Sequence, residues 1–137
     1  MQGFAVILML KKDGIIEREL CTVRIAGNGG LLRNMYVTDE NGELTARMFV
    51  TVEKELEDWE FEAIYDHYET EVFDGLGLSV SEAHGDVNPV WEIAFPYLED
   101  PEKLAAKADG ILNLHKRELN GVLEAIKDVR GEYGDVM

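Results

Sequence analysis

Residues 31–52 read Leu31-Leu32-Arg33-Asn34-Met35-Tyr36-Val37-Thr38-Asp39-Glu40-Asn41-Gly42-Glu43-Leu44-Thr45-Ala46-Arg47-Met48-Phe49-Val50-Thr51-Val52. Asn-Gly at 41–42 is the strongest short hairpin signal, because both residues tolerate the positive φ of a two-residue turn. The returning run alternates with period two, with Leu44, Ala46, Met48, Val50 and Val52 on one face and Thr45, Arg47 and Thr51 on the other. Residues 31–38 and 44–52 are therefore predicted to form a β-hairpin.

The same pattern stands upstream. Phe4 to Leu10 is apolar at every position, which predicts a strand in the middle of a sheet or one covered on both faces. Lys11-Lys12-Asp13-Gly14 is turn chemistry, and residues 15–25 return with Cys21, Val23 and Ile25 on one parity. Between the hairpins lies Ala26-Gly27-Asn28-Gly29-Gly30. Strand plus Gly-x-Gly suggests a dinucleotide-binding turn, but Leu32 stands at the third glycine position and strand-patterned sequence follows where a helix is needed. The stretch reads as a link.

Downstream the period changes to that of a helix. Phe61, Ile64, Tyr65, Tyr68 and Val72 make one stripe over residues 58–72, with Asp58 as the expected N-cap. Residues 73–90 are rich in turn residues, with a short strand expected over 76–81. Trp91, Ile93, Phe95 and Tyr97 share a parity in a firmer strand over 90–97. Asp100-Pro101 combines an N-cap with a proline in the first turn and opens a last helix over about 101–130, its stripe running from Leu104 through Ile111, Leu119 and Val122 to Val129. Gly110 and Gly121 lie on its opposite side, where they imply a close contact or a break. The predicted fold is one α+β domain over residues 1–137, in the order ββ-ββ-α-ββ-α. It has an antiparallel hairpin-built sheet and two helices on one face.

A chain of 137 residues with 46% hydrophobic residues can bury a core without a disulfide or metal staple. The single cysteine, Cys21, excludes an internal disulfide and reads as a small buried side chain. The N-terminal apolar run lacks a basic flank and a cleavage site, and no stretch reaches the roughly 20 apolar residues of a membrane span, so a cytoplasmic location is expected. The formal charge of −15 argues against nucleic acid and anionic membranes as partners. Residues 1–100 hold 7 basic and 21 acidic side chains, while 101–137 hold 6 and 7.

Candidate chemistry centres on an acidic block. Ten carboxylates fall between Glu53 and Asp74, against one lysine, and Asp58, Glu62, Asp66 and Glu69 share a side of the predicted helix. Such a row reads first as a solvated face; it also suits a basic protein partner or, through oxygen ligands, a hard cation. It lacks the loop, glycine and bidentate glutamate of a calcium hand. Trp59 falls nearly opposite the Phe61–Tyr65–Tyr68 stripe, which makes it either an interface anchor or a side chain folded back onto the core. Glu82-x-His84-x-Asp86 places three ligand types on one parity, and His67 adjoins the acidic row. His115 lies within the last helix's apolar stripe, as a hydrogen-bonded core histidine does. No cofactor motif and no catalytic constellation is present.

Glu57-Asp58-Trp59-Glu60-Phe61-x-Ala63-Ile64-x-Asp66, with Thr70-Glu71-Val72-Phe73 and Asn88-Pro89-x-Trp91, resembles a small family of bacterial proteins from anaerobic Gram-positive lineages. That family has no assigned activity, so the resemblance implies a cytoplasmic bacterial setting and carries over no catalytic residue. The leading reading is a non-enzymatic interaction module whose acidic helix, with Asp58, Trp59, Glu62, Asp66 and Glu69, meets a basic partner or a second copy. The alternatives are a metal-dependent or acid/base enzyme using the 53–74 carboxylates with His67 or Glu82-His84-Asp86, and an acidic nucleic-acid mimic. A homodimer is expected. A 30-residue helix spans about 45 Å, longer than a domain of about 35 Å, so residues 119–129 need cover from a second chain unless the helix breaks.

Overall fold

The computed structural model describes residues 4–73, 78–83 and 88–128. The strands are β1 (Phe4–Lys12), β2 (Ile15–Ile25), β3 (Leu32–Glu40), β4 (Glu43–Thr51), β5 (Ser79–Ala83) and β6 (Val90–Pro96), and the helices are α1 (Asp58–His67) and α2 (Pro101–Ala125). The two N-terminal hairpins close on turns whose central residues all take positive φ: Asp13 and Gly14 at 53° and 79°, Asn41 and Gly42 at 58° and 89°. Asp39 Oδ1 accepts the Gly42 N–H at 2.8 Å and fastens the second turn.

One six-stranded sheet results, in the order β2-β1-β3-β4-β6-β5. Every pairing is antiparallel except β1–β3, which is parallel through Leu10↔Val37 and Lys11↔Thr38. The parallel pair follows from the link over residues 26–31, which passes the end of β1 and starts β3 at the end where β1 also starts. Apolar β1 thereby takes an inner position, and β2, with Glu17-Arg18-Glu19, takes the edge, where charge guards against further pairing.

Both helices cover the same face. Leu8, Val23, Val37, Met48, Val50, Trp91 and Ile93 project from the sheet into a core closed by Ala63 and Ile64 of α1 and by Leu104, Ile111, Leu112, Leu119 and Val122 of α2. The parities read from β4 and β6 are those observed. β1 is central but covered on one face only: Leu8 and Leu10 are buried, whereas Ile7 is 56% exposed.

α1 starts at residue 58 as expected but ends five residues short of the expected span. Its N-cap is Glu57, not Asp58, in a capping box with Glu60, whose Oε1 accepts the Glu57 N–H at 3.0 Å. It ends at His67 because the backbone turns extended at Tyr68, and a 3-10 turn follows over Thr70–Phe73. α2 starts as expected, with the Asp100 carboxylate accepting the Glu102 N–H at 2.9 Å, and ends in a 3-10 turn over Ile126–Asp128. The helix is unbroken. Gly110 and Gly121 are solvent-facing, and a Cβ at either would meet nothing within 4 Å, so neither the close contact nor the break exists. Leu119, Val122 and Ile126 are buried by their own chain. Val129 and Arg130, at the expected end of this helix, lie outside the described residues.

Candidate functional site

The face of the sheet turned away from the helices carries the densest unexplained chemistry. Across it run Ala5, Ile7, Met9 and Lys11 of β1, Glu19 of β2 beside Met9, and Tyr36 and Thr38 of β3. Thr45, Arg47 and Phe49 of β4 and Glu92 and Ala94 of β6 complete the rows. Tyr36 and Phe49 stack with centroids 5.5 Å apart, and the Lys11 ammonium sits 4.0 Å from the Tyr36 ring centroid. Arg47 lies between two carboxylates, bonding Glu40 at 2.8 Å and Glu92 on the other side, while its Nε donates to Thr38 Oγ1 at 3.0 Å. This ladder holds the guanidinium in place, and its two anions keep it protonated against the burial that opposes its charge. Ile7 and Ile16, both on this face, are 56% and 55% exposed.

The acidic helix lies in the opposite layer. Asp58, Glu62 and Asp66 are exposed on α1, and Glu69, also exposed, comes after the helix end. Trp59 is half-buried and packs against the core cluster, beside a cavity of about 270 Å³ lined by Lys54, Glu60, Leu123, Ile126 and Lys127. Among the described residues no group of three or more His, Cys, Asp or Glu side chains is placed to share a metal ion. Glu82 is exposed on β5, while His84, Asp86 and Asp74 lie outside the described residues. His67 bonds through Nδ1 to the Ala63 carbonyl at 3.0 Å, as a helical residue capping its own turn.

His115 sits at the centre of the core, fully buried. Its Nε2 lies 2.7 Å from the Thr51 carbonyl and its Nδ1 lies 2.8 Å from the Tyr68 hydroxyl. Its ring also packs at 5.4 Å from Trp91, on which Tyr68 stacks at 4.2 Å. Burial lowers its pKa to about 4, the Thr51 bond partly opposing that shift, and burial raises that of Tyr68, Glu118 adding to it. Both ring nitrogens are thus engaged, by Tyr68 and by the Thr51 carbonyl, as in a structural histidine. In the Gly-rich link the space beside Gly30 is taken by the Glu53 carboxylate, so an anion there would meet a negative charge.

A family model described as "Family of unknown function (DUF6762)" matches residues 1–134. The chain belongs to DUF6762. The resemblance read from residues 57–91 thus points to a family without an assigned activity, and that family gives no residue a role. No curated protein and no solved structure matches the chain.

For this member of DUF6762, the sequence puts Tyr68, Trp91 and His115 each on an apolar face, but neither their meeting nor the uncovered face is read from it. The signal was present in the second parity of β1, where Ala5, Ile7 and Met9 are apolar although no element among the described residues packs on them. Among the described residues, no helix of the DUF6762 chain is long and apolar enough to cross a membrane.

Proposed function

We propose that this chain is a non-enzymatic, cytoplasmic protein-interaction module that binds through the uncovered face of its sheet. One observation carries this reading. Among the described residues, the three large hydrophobic side chains most exposed, Ile7, Ile15 and Ile16 at 56%, 69% and 55%, all belong to the β1–β2 hairpin, and two of them join Met9, Tyr36 and Phe49 on one face of the sheet. Apolar area gathered in this way marks a contact surface more often than it marks idle surface. The fixed Arg47 and the Lys11–Tyr36 pair supply the polar and aromatic anchors that such surfaces favour. The acidic outer side of α1 then keeps the opposite layer solvated.

The test immobilises the chain and challenges it both with native lysate and with purified untagged chain. Wild type retains a partner in one arm or the other, Ile7→Glu loses it, and Glu62→Lys keeps it. Loss with Glu62→Lys and retention with Ile7→Glu would move the surface to α1. Retention of nothing in either arm rejects an interaction role.

A further inference from the structure

We infer that the occupant of the uncovered face is a second copy of the chain, related by a two-fold axis that runs along the strands between β1 and β3. The inference rests on the interaction reading above and names its partner. The first argument is charge. Lys11, Arg24 and Arg47 share this face with Glu19, Glu40, Glu43 and Glu92, one net negative charge on a chain of −15. Two such chains repel least when they meet here, with their acidic layers turned outward.

The second argument is register. Taken along the sheet, the pairings align Glu19, Met9, Tyr36, Arg47 and Ala94 in one row, and Thr22, Ile7, Asn34, Phe49 and Glu92 in the next. An axis between β1 and β3 lays β1 of one copy over β3 of the other, and β2 over β4. Met9 then meets Tyr36 and Glu19 meets Arg47, each contact made twice, as an isologous interface requires. An axis between β3 and β4 would instead lay Ile7 on Glu92, an apolar side chain on a carboxylate. The axis overlaps four of the six strands, which at about 4.8 Å apart and some seven residues long cover about 450 Å² in projection. That is below the roughly 800 Å² per partner of a standard interface and fits a dimer of modest affinity.

Sedimentation equilibrium at micromolar concentration decides it. The expected mass is twice 15.5 kDa. Association tightens as salt rises from low to moderate ionic strength, because two like-charged bodies are being screened; a basic partner would show the opposite trend. Ile7→Glu and Met9→Glu should each weaken the dimer at least tenfold with an unchanged circular dichroism spectrum, and Ile7, being more than half exposed, provides the variant whose folding is secure. Glu19→Arg discriminates most sharply. It lowers the net charge from −15 to −13 and so favours non-specific association, yet it sets a cation against Arg47 and should weaken the dimer severalfold. A mass of 15.5 kDa at every salt concentration overturns the second copy, while the lysate arm above still judges the interaction reading. Tightening with Glu19→Arg, or a dimer dissociated by Leu123→Asp but not by Ile7→Glu, overturns the proposed face.

Discussion

Tyr68 donates its hydroxyl proton to Nδ1 of His115 across 2.8 Å. The direction is fixed by the far side of the ring, where Nε2 faces the Thr51 carbonyl at 2.7 Å. A carbonyl only accepts, so Nε2 carries the proton and Nδ1 is left to accept. The core histidine is thus neutral, in a single tautomer.

Acid should therefore unfold this chain partly through His115. Its pKa is lowered from 6.5 to about 4 on folding, so the unfolded state binds the proton more readily. Above about pH 6.5 the group has no effect on stability, and between there and pH 4 the folded state loses about 3 kcal/mol relative to the unfolded one. Urea titrations across that window should show a steeper fall for wild type than for His115→Gln. Equal slopes would remove His115 from the account.

Tyr68→Phe leaves Nδ1 of His115 as a buried acceptor without its donor, while the ring stack on Trp91 is kept. An orphaned buried acceptor costs about 1–3 kcal/mol. Denaturant midpoints compared at pH 7 give the number, and a neutral effect would mean that water reaches the ring.

Gly110→Ala and Gly121→Ala should each stabilise the protein by about 1 kcal/mol. Both glycines sit in a continuous helix, and a Cβ there meets open space. The expected gain in melting temperature is about 3 °C apiece, additive in the double variant because the sites lie three helical turns apart. A loss at either position would reveal a neighbour against that side of α2.

Added salt should raise the melting temperature. A formal charge of −15, with only one net negative charge in residues 101–137, concentrates repulsion in the N-terminal hundred residues, and screening relieves it. A melting temperature that stays flat between low and moderate ionic strength would show the carboxylates to be harmlessly dispersed.

The sequence is read most securely where local chemistry alone decides the outcome. Asn41-Gly42 fixes a turn, Asp100-Pro101 starts a helix, and strict alternation sorts β4 into its two faces. Misreadings arise where distant residues decide. The apolar stripe predicts α1 to residue 72, but the helix stops at His67, where Tyr68 turns to stack on Trp91 and bond His115, 47 positions away. Spacing sets Trp59 opposite the aromatic stripe and leaves two readings open, interface anchor or side chain folded back; the indole packs on the core, as in the second. The apolar second parity of β1 is ambiguous in principle: two-sided burial and a one-sided docking surface demand the same residues.

The covering of β2 by α2 has a consequence for synthesis. The Ala26 N–H bonds Asp109 at 3.0 Å and the Asn28 amide bonds Asn113 at 2.7 Å, contacts that span more than eighty positions. Each hairpin can zip within microseconds of leaving the ribosome, yet the helix that shields Leu8 and Val23 is translated last. For several seconds at ordinary elongation rates the nascent sheet presents apolar side chains on both of its surfaces. This predicts that ribosome-stalled chains ending before residue 101 bind holdase chaperones, and that chains stalled far enough beyond residue 128 for α2 to clear the exit tunnel do not. The order of synthesis, as much as the final packing, then sets how often this protein reaches its native state.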